Sequence, residues 1–247
     1  MPVIYLSPST QEYNPYITGA GSEEYFMNRI ADAMEPYLRA NTIRFTRNSP
    51  GMTAVSSIAQ ANRGNYDLYL ALHSNASGDG ITEGRVRGII AFYYPTSRNG
   101  KRAAEIFARN LKTVYPLPDR VTVRPTTALG EVRQPKAPSV LLELGYHDNT
   151  ADARWVEENV SAIAANLVLS LTEYFGLPFL SPIRPRSGTV ATERDGLRLR
   201  EKPSTDAAVV AIIPRGATVT VYGVDEGWYA VGYGEMAGFV SAQYVRL

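Results

Sequence analysis

Chemistry in this chain must be built from few residues. Among 247 residues there are two histidines, His73 and His147, and no cysteine. Thiolate nucleophiles and cysteine-held metals are therefore excluded. His73 ends an apolar run, Leu-Ala-Leu-His-Ser-Asn-Ala (70–76). The C-terminal ends of strands are where open α/β sheets place their ligand sites. Glu143 lies inside Leu-Leu-Glu-Leu-Gly (141–145). A carboxylate in an apolar strand is costly unless it is paired, near a metal, or used as an acid or base. Glu24 falls in the first turn of an expected helix, where a carboxylate either complements the helix dipole or faces a site. Imidazole and carboxylates are the donors of zinc hydrolases, with a further carboxylate as proton shuttle. Glu24, His73 and Glu143 together are thus a candidate constellation for such a site.

The elements that would position these residues alternate. Strand patterns cover 3–7, 43–47, 68–72, 88–94 and 140–144. Helical spacing covers 23–39, where Met27, Ile30, Ala31, Met34 and Leu38 share a face. It recurs over 53–62, with Thr53 as N-cap, and over 99–114 and 160–175. Alternation of this kind predicts an α/β fold, a mixed, mostly parallel sheet flanked by helices. After residue 176 the texture changes. Pro178, Pro182 and Pro185 mark a stiff linker over 177–187. Short strand patterns separated by turns then fill 188–247, as in a small β-barrel. The Gly-rich, charged stretch 78–87 is expected to border the cleft.

Composition narrows the function. Lys and Arg number 25 against 24 Asp and Glu, so there is no electrostatic footprint for nucleic acid. The longest apolar stretch, near 163–171, is interrupted by Asn166 and is too short to span a bilayer. The N-terminal residues read as a strand rather than a signal peptide. No feature calls for an oligomer, and a monomer is expected.

Four stretches in order carry a family resemblance: Gly-Ser-Glu-Glu-Tyr-Phe-Met-Asn-Arg-Ile-Ala (21–31), Thr-Arg (46–47), Ala-Leu-His-Ser-Asn-Ala (71–76) and Val-Leu-Leu-Glu-Leu-Gly-Tyr-His-Asp-Asn (140–149). Together they resemble the zinc-dependent N-acetylmuramoyl-L-alanine amidases. The resemblance implies Zn2+ as cofactor, Glu24 and His73 as ligands, and Glu143 as catalytic glutamate. The implied substrate is cell-wall peptidoglycan, cut between muramic acid and L-alanine. The family's opening Asp-Pro-Gly-His is absent. Ser-Pro-Ser-Thr-Gln-Glu (7–12) stands there, with Thr10 at the histidine position, which leaves a catalytically impaired wall-binding protein with the same fold as the alternative function. His147, Gln11 and Glu12 are the candidates to complete the site. His147 is favoured as the best donor, against its alternative as a loop histidine bonded to backbone near Asp148 and Asn149. The tail, with Gly-Leu-Arg-Leu-Arg (196–200), Ile-Pro-Arg-Gly (213–216), Gly-Trp-Tyr-Ala-Val (227–231) and Gly-Phe-Val (238–240), resembles bacterial SH3-like domains. Such modules bind the wall, and Tyr222, Trp228, Tyr229, Tyr233 and Tyr244 are candidates to line a groove or fill a small barrel.

Overall fold

The computed structural model describes all 247 residues. The first part runs β1 (Val3–Pro8), α1 (Glu23–Ala40), β2 (Arg44–Arg47), α2 (Ala54–Ala61), β3 (Leu68–Asn75), β4 (Ile89–Tyr93), α3 (Arg98–Leu111), β5 (Val121–Pro125), α4 (Gly130–Arg133), β6 (Ser139–Tyr146) and α5 (Thr150–Phe175). One six-stranded sheet has the order β2-β1-β3-β6-β4-β5. β1, β3 and β6 are parallel neighbours, β4 runs against β6, and β5 is parallel to β4. The expected mixed α/β sheet is therefore present. Its central strands are buried over nearly their whole length, which is why they read as apolar runs rather than as alternation.

Register places the chemistry. His73 on β3 is the direct partner of Glu143 on β6. α1 lays Phe26, Met27, Ile30, Ala31, Met34 and Leu38 inward, all buried. Two elements escaped the pattern. β5 is a short edge strand with one buried residue, and α5 begins ten residues before the expected start at 160. Asn159 leaves helical geometry at φ −119°. This break hides the continuity of the two helical segments.

The second set of strands is β7 (Arg186–Val190), β8 (Leu197–Arg200), β9 (Val209–Ile213), β10 (Thr218–Asp225), β11 (Trp228–Tyr233), β12 (Met236–Ser241) and β13 (Val245–Arg246). They form an antiparallel sheet of order β13-β7-β10-β11-β12-β8-β9, consistent with the expected barrel. Its core is Val190, Leu197, Leu199, Ile213, Val219, Val221, Val231, Val240 and Val245, with Tyr229 and Tyr233 packed against it. Both tyrosines are partly buried, and Trp228, which packs against the cluster of Ala230 and Phe239, also lines a surface groove with Tyr244, Arg194 and Arg198. The chain divides into two compact units, one of residues 3–34 and 45–174, the other of 1–2, 35–44 and 175–247. Within the second unit Asn41 brackets the main chain of Leu180. Its Nδ2 donates to the carbonyl at 2.9 Å and its Oδ1 accepts the amide at 2.6 Å. No helix is long and apolar enough to cross a membrane.

The end of β6 is held by one buried carboxylate. Asp152 is fully buried and accepts from the amides of Gly88 and Tyr146, from Arg87 Nε at 2.8 Å and from the Tyr115 hydroxyl at 2.7 Å. Gly145, at φ +88°, makes the turn beside it, where a Cβ would lie 3.3 Å from that of Asp152. Truncating one partner of a buried charged pair is strongly destabilising. Asp152→Ala is expected to lower the unfolding free energy by about 3 kcal/mol or more in urea titrations. A loss below about 1 kcal/mol would show that this hub does not anchor the strand.

Candidate functional site

The site forms where β1, β3, β6 and the start of α1 meet. It opens to a cleft of about 390 Å3 lined by residues that include Ser9, Gln11, Tyr13, His73, Glu131 and Glu143. His73 is 8% exposed and both its ring nitrogens face carboxylates. Nδ1 lies 2.8 Å from Glu23 Oε1, and Nε2 lies 2.8 Å from Glu131 Oε2. Glu23 and Glu131 are buried at 1% and 5% exposure.

Each carboxylate is held by further donors. Asn14 Nδ2 donates to Glu23 Oε2 at 2.7 Å. The hydroxyls of Ser7 and Tyr69 both donate to Glu131 Oε1 at 2.6 Å. Burial opposes ionisation of both glutamates, but the hydrogen bonds and charge of His73 outweigh it and hold both carboxyls below their usual range. For the same reason His73 sits well above the ordinary histidine value. Burial works against its charge, while Glu131 and then Glu23 favour it.

Glu143 is the opposite case. It is half-buried, and its buried Oε2 lacks any hydrogen-bond partner. Burial foremost, assisted by the charges of Glu23 and Glu131 and opposed by His73, pushes its carboxyl up to about 7. A carboxylate poised there can exchange protons at neutral pH.

Two expected ligands lie elsewhere. Unlike its neighbour Glu23, Glu24 is half-buried and makes no hydrogen bond to His73. It faces Glu12, whose charge adds to a slight burial to raise its carboxyl. Helix phase decides this: counting back four from buried Met27 reaches Glu23, whereas counting back four from half-buried Asn28 reaches Glu24. The apolar spacing of α1 thus already carried the signal for Glu23. His147 is buried but turned away, with Nδ1 3.1 Å from the Ser74 carbonyl oxygen and its ring stacked on Tyr16. It is a backbone-bonded loop histidine. The stretch 78–87 contributes nothing to the cleft lining. It packs over the turn after β6, where Gly84 pairs with Asp148 and its carbonyl accepts from Asn149.

Glu131 was missed. It sits in the four-residue α4, too short for periodicity, and its burial depends on contacts with Ser7, Tyr69 and His73 far away in sequence. No local signal could have singled it out.

No three His, Cys, Asp or Glu side chains converge to hold one ion. The donors that do converge are His73 Nδ1, Glu23 Oε1 and the amide of Gln11. Gln11 Nε2 lies 3.2 Å from the first and 3.4 Å from the second. Gln11 Oε1 accepts from the Tyr13 hydroxyl and from Asn14 Nδ2. One imidazole nitrogen and one carboxylate are ordinary zinc donors. An amide oxygen is a harder, weaker one, and here it faces the site only if the amide turns over. Two ordinary metal donors are thus present, and a third would require the Gln11 amide to turn over.

Comparison with known proteins agrees with this fold. Residues 9–173 match the family model described as N-acetylmuramoyl-L-alanine amidase, and residues 195–246 match that of the bacterial SH3 domain. Among solved structures, the catalytic domain of CwlV, an N-acetylmuramoyl-L-alanine amidase from Bacillus (Paenibacillus) polymyxa, superposes with a TM-score of 0.63 at 19% identity. It covers 71% of this chain and 99% of its own. AmiC2 of Nostoc punctiforme gives 0.62 at 16%, covering 71% and 97%. The catalytic domain of the CD27L endolysin targeting Clostridia difficile gives 0.55 at 20%, covering 70% and 97%. No curated protein matches the chain in sequence. With the family model spanning residues 9–173, the chain belongs to the N-acetylmuramoyl-L-alanine amidases, enzymes that act on cell-wall peptidoglycan, and carries a bacterial SH3 domain behind the catalytic fold.

Proposed function

We propose that the chain hydrolyses the amide between the lactyl group of N-acetylmuramic acid and the first L-alanine of the stem peptide. In this reading Glu23 and His73 hold a zinc ion, Gln11 supplies the third protein donor through its amide oxygen, and Glu143 moves the protons. The observation that carries it is the buried, unpartnered Oε2 of Glu143, in direct strand register with His73 in one cleft. Members of the family are generally zinc-dependent. The ion, when bound, supplies Lewis acidity toward the scissile carbonyl and the attacking water.

The protein's own contributions follow from the geometry. Glu143 takes a proton from the attacking water and returns it to the leaving amine, a role suited to a carboxyl near 7. Tyr13, 77% exposed at the mouth of the cleft, offers a flat face to the glycan or peptide. The SH3 domain holds wall peptides in its groove beside Trp228 and Tyr244, which raises the local concentration of the enzyme at the wall. Its Lys and Arg residues number six against seven Asp and Glu (Arg194, Arg198, Arg200, Lys202, Arg215 and Arg246 against Glu193, Asp195, Glu201, Asp206, Asp225, Glu226 and Glu235). Attraction to anionic wall polymers is therefore not its main source of affinity.

Glu143→Gln tests the shuttle. Digestion of purified peptidoglycan by the wild type should free stem peptides with L-alanine amino termini and create no new reducing ends. The variant should lose this activity by about a hundredfold or more. Near-normal turnover would remove Glu143 from the mechanism. The same substitution should stabilise the chelator-treated protein. The folded carboxyl keeps its proton to about 7 rather than 4.5, so the folded state binds more protons between those values and stability falls as pH rises through them. At about pH 8 the gain on substitution should be of the order of 1–3 kcal/mol in denaturant unfolding, and a loss would contradict the buried, unpaired environment of Glu143.

Gln11→His tests the third donor. Imidazole in place of the amide should tighten zinc binding by about tenfold or more in chelator competition. Unchanged or weaker binding would place the third donor elsewhere.

A further inference from the structure

The backbone of Glu131 is fixed without reference to His73. Val132, 2% exposed, anchors α4 in an apolar cluster with Tyr5, Tyr69, Ala71 and Leu141. The hydroxyl of Ser139 donates to the Val132 carbonyl at 2.6 Å and ties α4 to β6. The side chain is fixed in turn. Burial, together with the charge of Glu131, keeps the Tyr69 phenol protonated, so it acts as a donor, and it lies 2.6 Å from Glu131 Oε1 and 3.0 Å from Ser7 Oγ. Stacking of Tyr69 on Tyr5 at 5.1 Å fixes its ring plane. With Oε1 receiving two hydroxyl protons, Oε2 is left as the acceptor for one nitrogen of His73.

We infer that Glu131, braced by Ser7 and Tyr69, is the positioning residue of the site. It binds the Nε2 proton of His73 and so turns Nδ1 toward Glu23 and Gln11. An imidazole has two nitrogens, and which one meets a ligand is set by the hydrogen bond the other makes. A histidine whose second nitrogen donates to a carboxylate is oriented and made more basic, and losing that partner costs about 10–100-fold in metal affinity. Glu131 touches neither substrate nor the reacting water, and acts through His73. The orientation is a property of the protein alone. Its effect on metal affinity rests on the reading given under the proposed function.

Two readouts test this. In 15N-labelled, metal-free protein the His73 Nε2–H should give a slowly exchanging proton resonance. Glu131→Ala should abolish that resonance, and Glu131→Gln, whose amide oxygen can still accept the proton, should retain it with faster exchange. Tyr69→Phe is the milder variant should Glu131→Ala fold poorly, and it too should retain the resonance with faster exchange. In chelator competition with zinc, affinity should fall about 10–100-fold in Glu131→Ala and less in Glu131→Gln. A protected Nε2–H in folded Glu131→Ala, or unaltered exchange in both Glu131→Gln and Tyr69→Phe, would overturn the inference. If the wild type takes up no zinc, the metal reading fails and the Nε2–H resonance alone decides the role of Glu131.

Discussion

A single imidazole held by two buried carboxylates organises this protein. His73 receives Glu23 from the first turn of α1 and Glu131 from the short α4, each at 2.8 Å. Those glutamates lie 50 and 58 residues from it in sequence. Bringing two ionised carboxylates into the interior is costly unless each is paired and hydrogen-bonded. Here Asn14 supports one, and Ser7 with Tyr69 supports the other. The same charges that stabilise a cationic His73 raise Glu143, which has no partner for Oε2. One cluster thus holds two glutamates below the usual carboxyl range and raises a third to about 7.

The loop after β1 shapes what this cluster can hold. Where the resemblance leads one to expect a histidine, the chain has Ser9, Thr10 and Gln11. The side chain that reaches His73 and Glu23 is that of Gln11, an amide, one residue beyond the expected position. In the present geometry its nitrogen faces them, while Tyr13 and Asn14 engage its oxygen. In the proposed zinc-bound form, the ion would take the place of the proton on His73 Nδ1. With a neutral amide as the proposed third donor, that competition would favour the proton more than it would with an imidazole.

Much of this was legible in the sequence, for identifiable reasons. The buried central strands announced themselves as apolar runs, and His73 and Glu143 stood out because a polar side chain inside such a run needs a purpose. The motif spacing to Asn28 pointed to Glu24, but the helix presents Glu23 to the site because the buried face runs through Met27 and Ile30. Residue type favoured His147, yet the turn after β6 carries it to the Ser74 carbonyl instead. Glu131 lies in a segment without periodicity, and its role exists only through long-range contacts. β5 and the first turns of α5 were hidden by an exposed edge and by the break at Asn159.

The most direct measurement is the zinc content of the purified chain by elemental analysis, before and after supplying metal, with Glu23→Gln, Glu24→Gln and His147→Ala alongside. The account predicts about one zinc per chain in the wild type, retained in Glu24→Gln and His147→Ala and lost in Glu23→Gln. Zinc that survives Glu23→Gln but disappears in His147→Ala, or a wild type that takes up none, would contradict it.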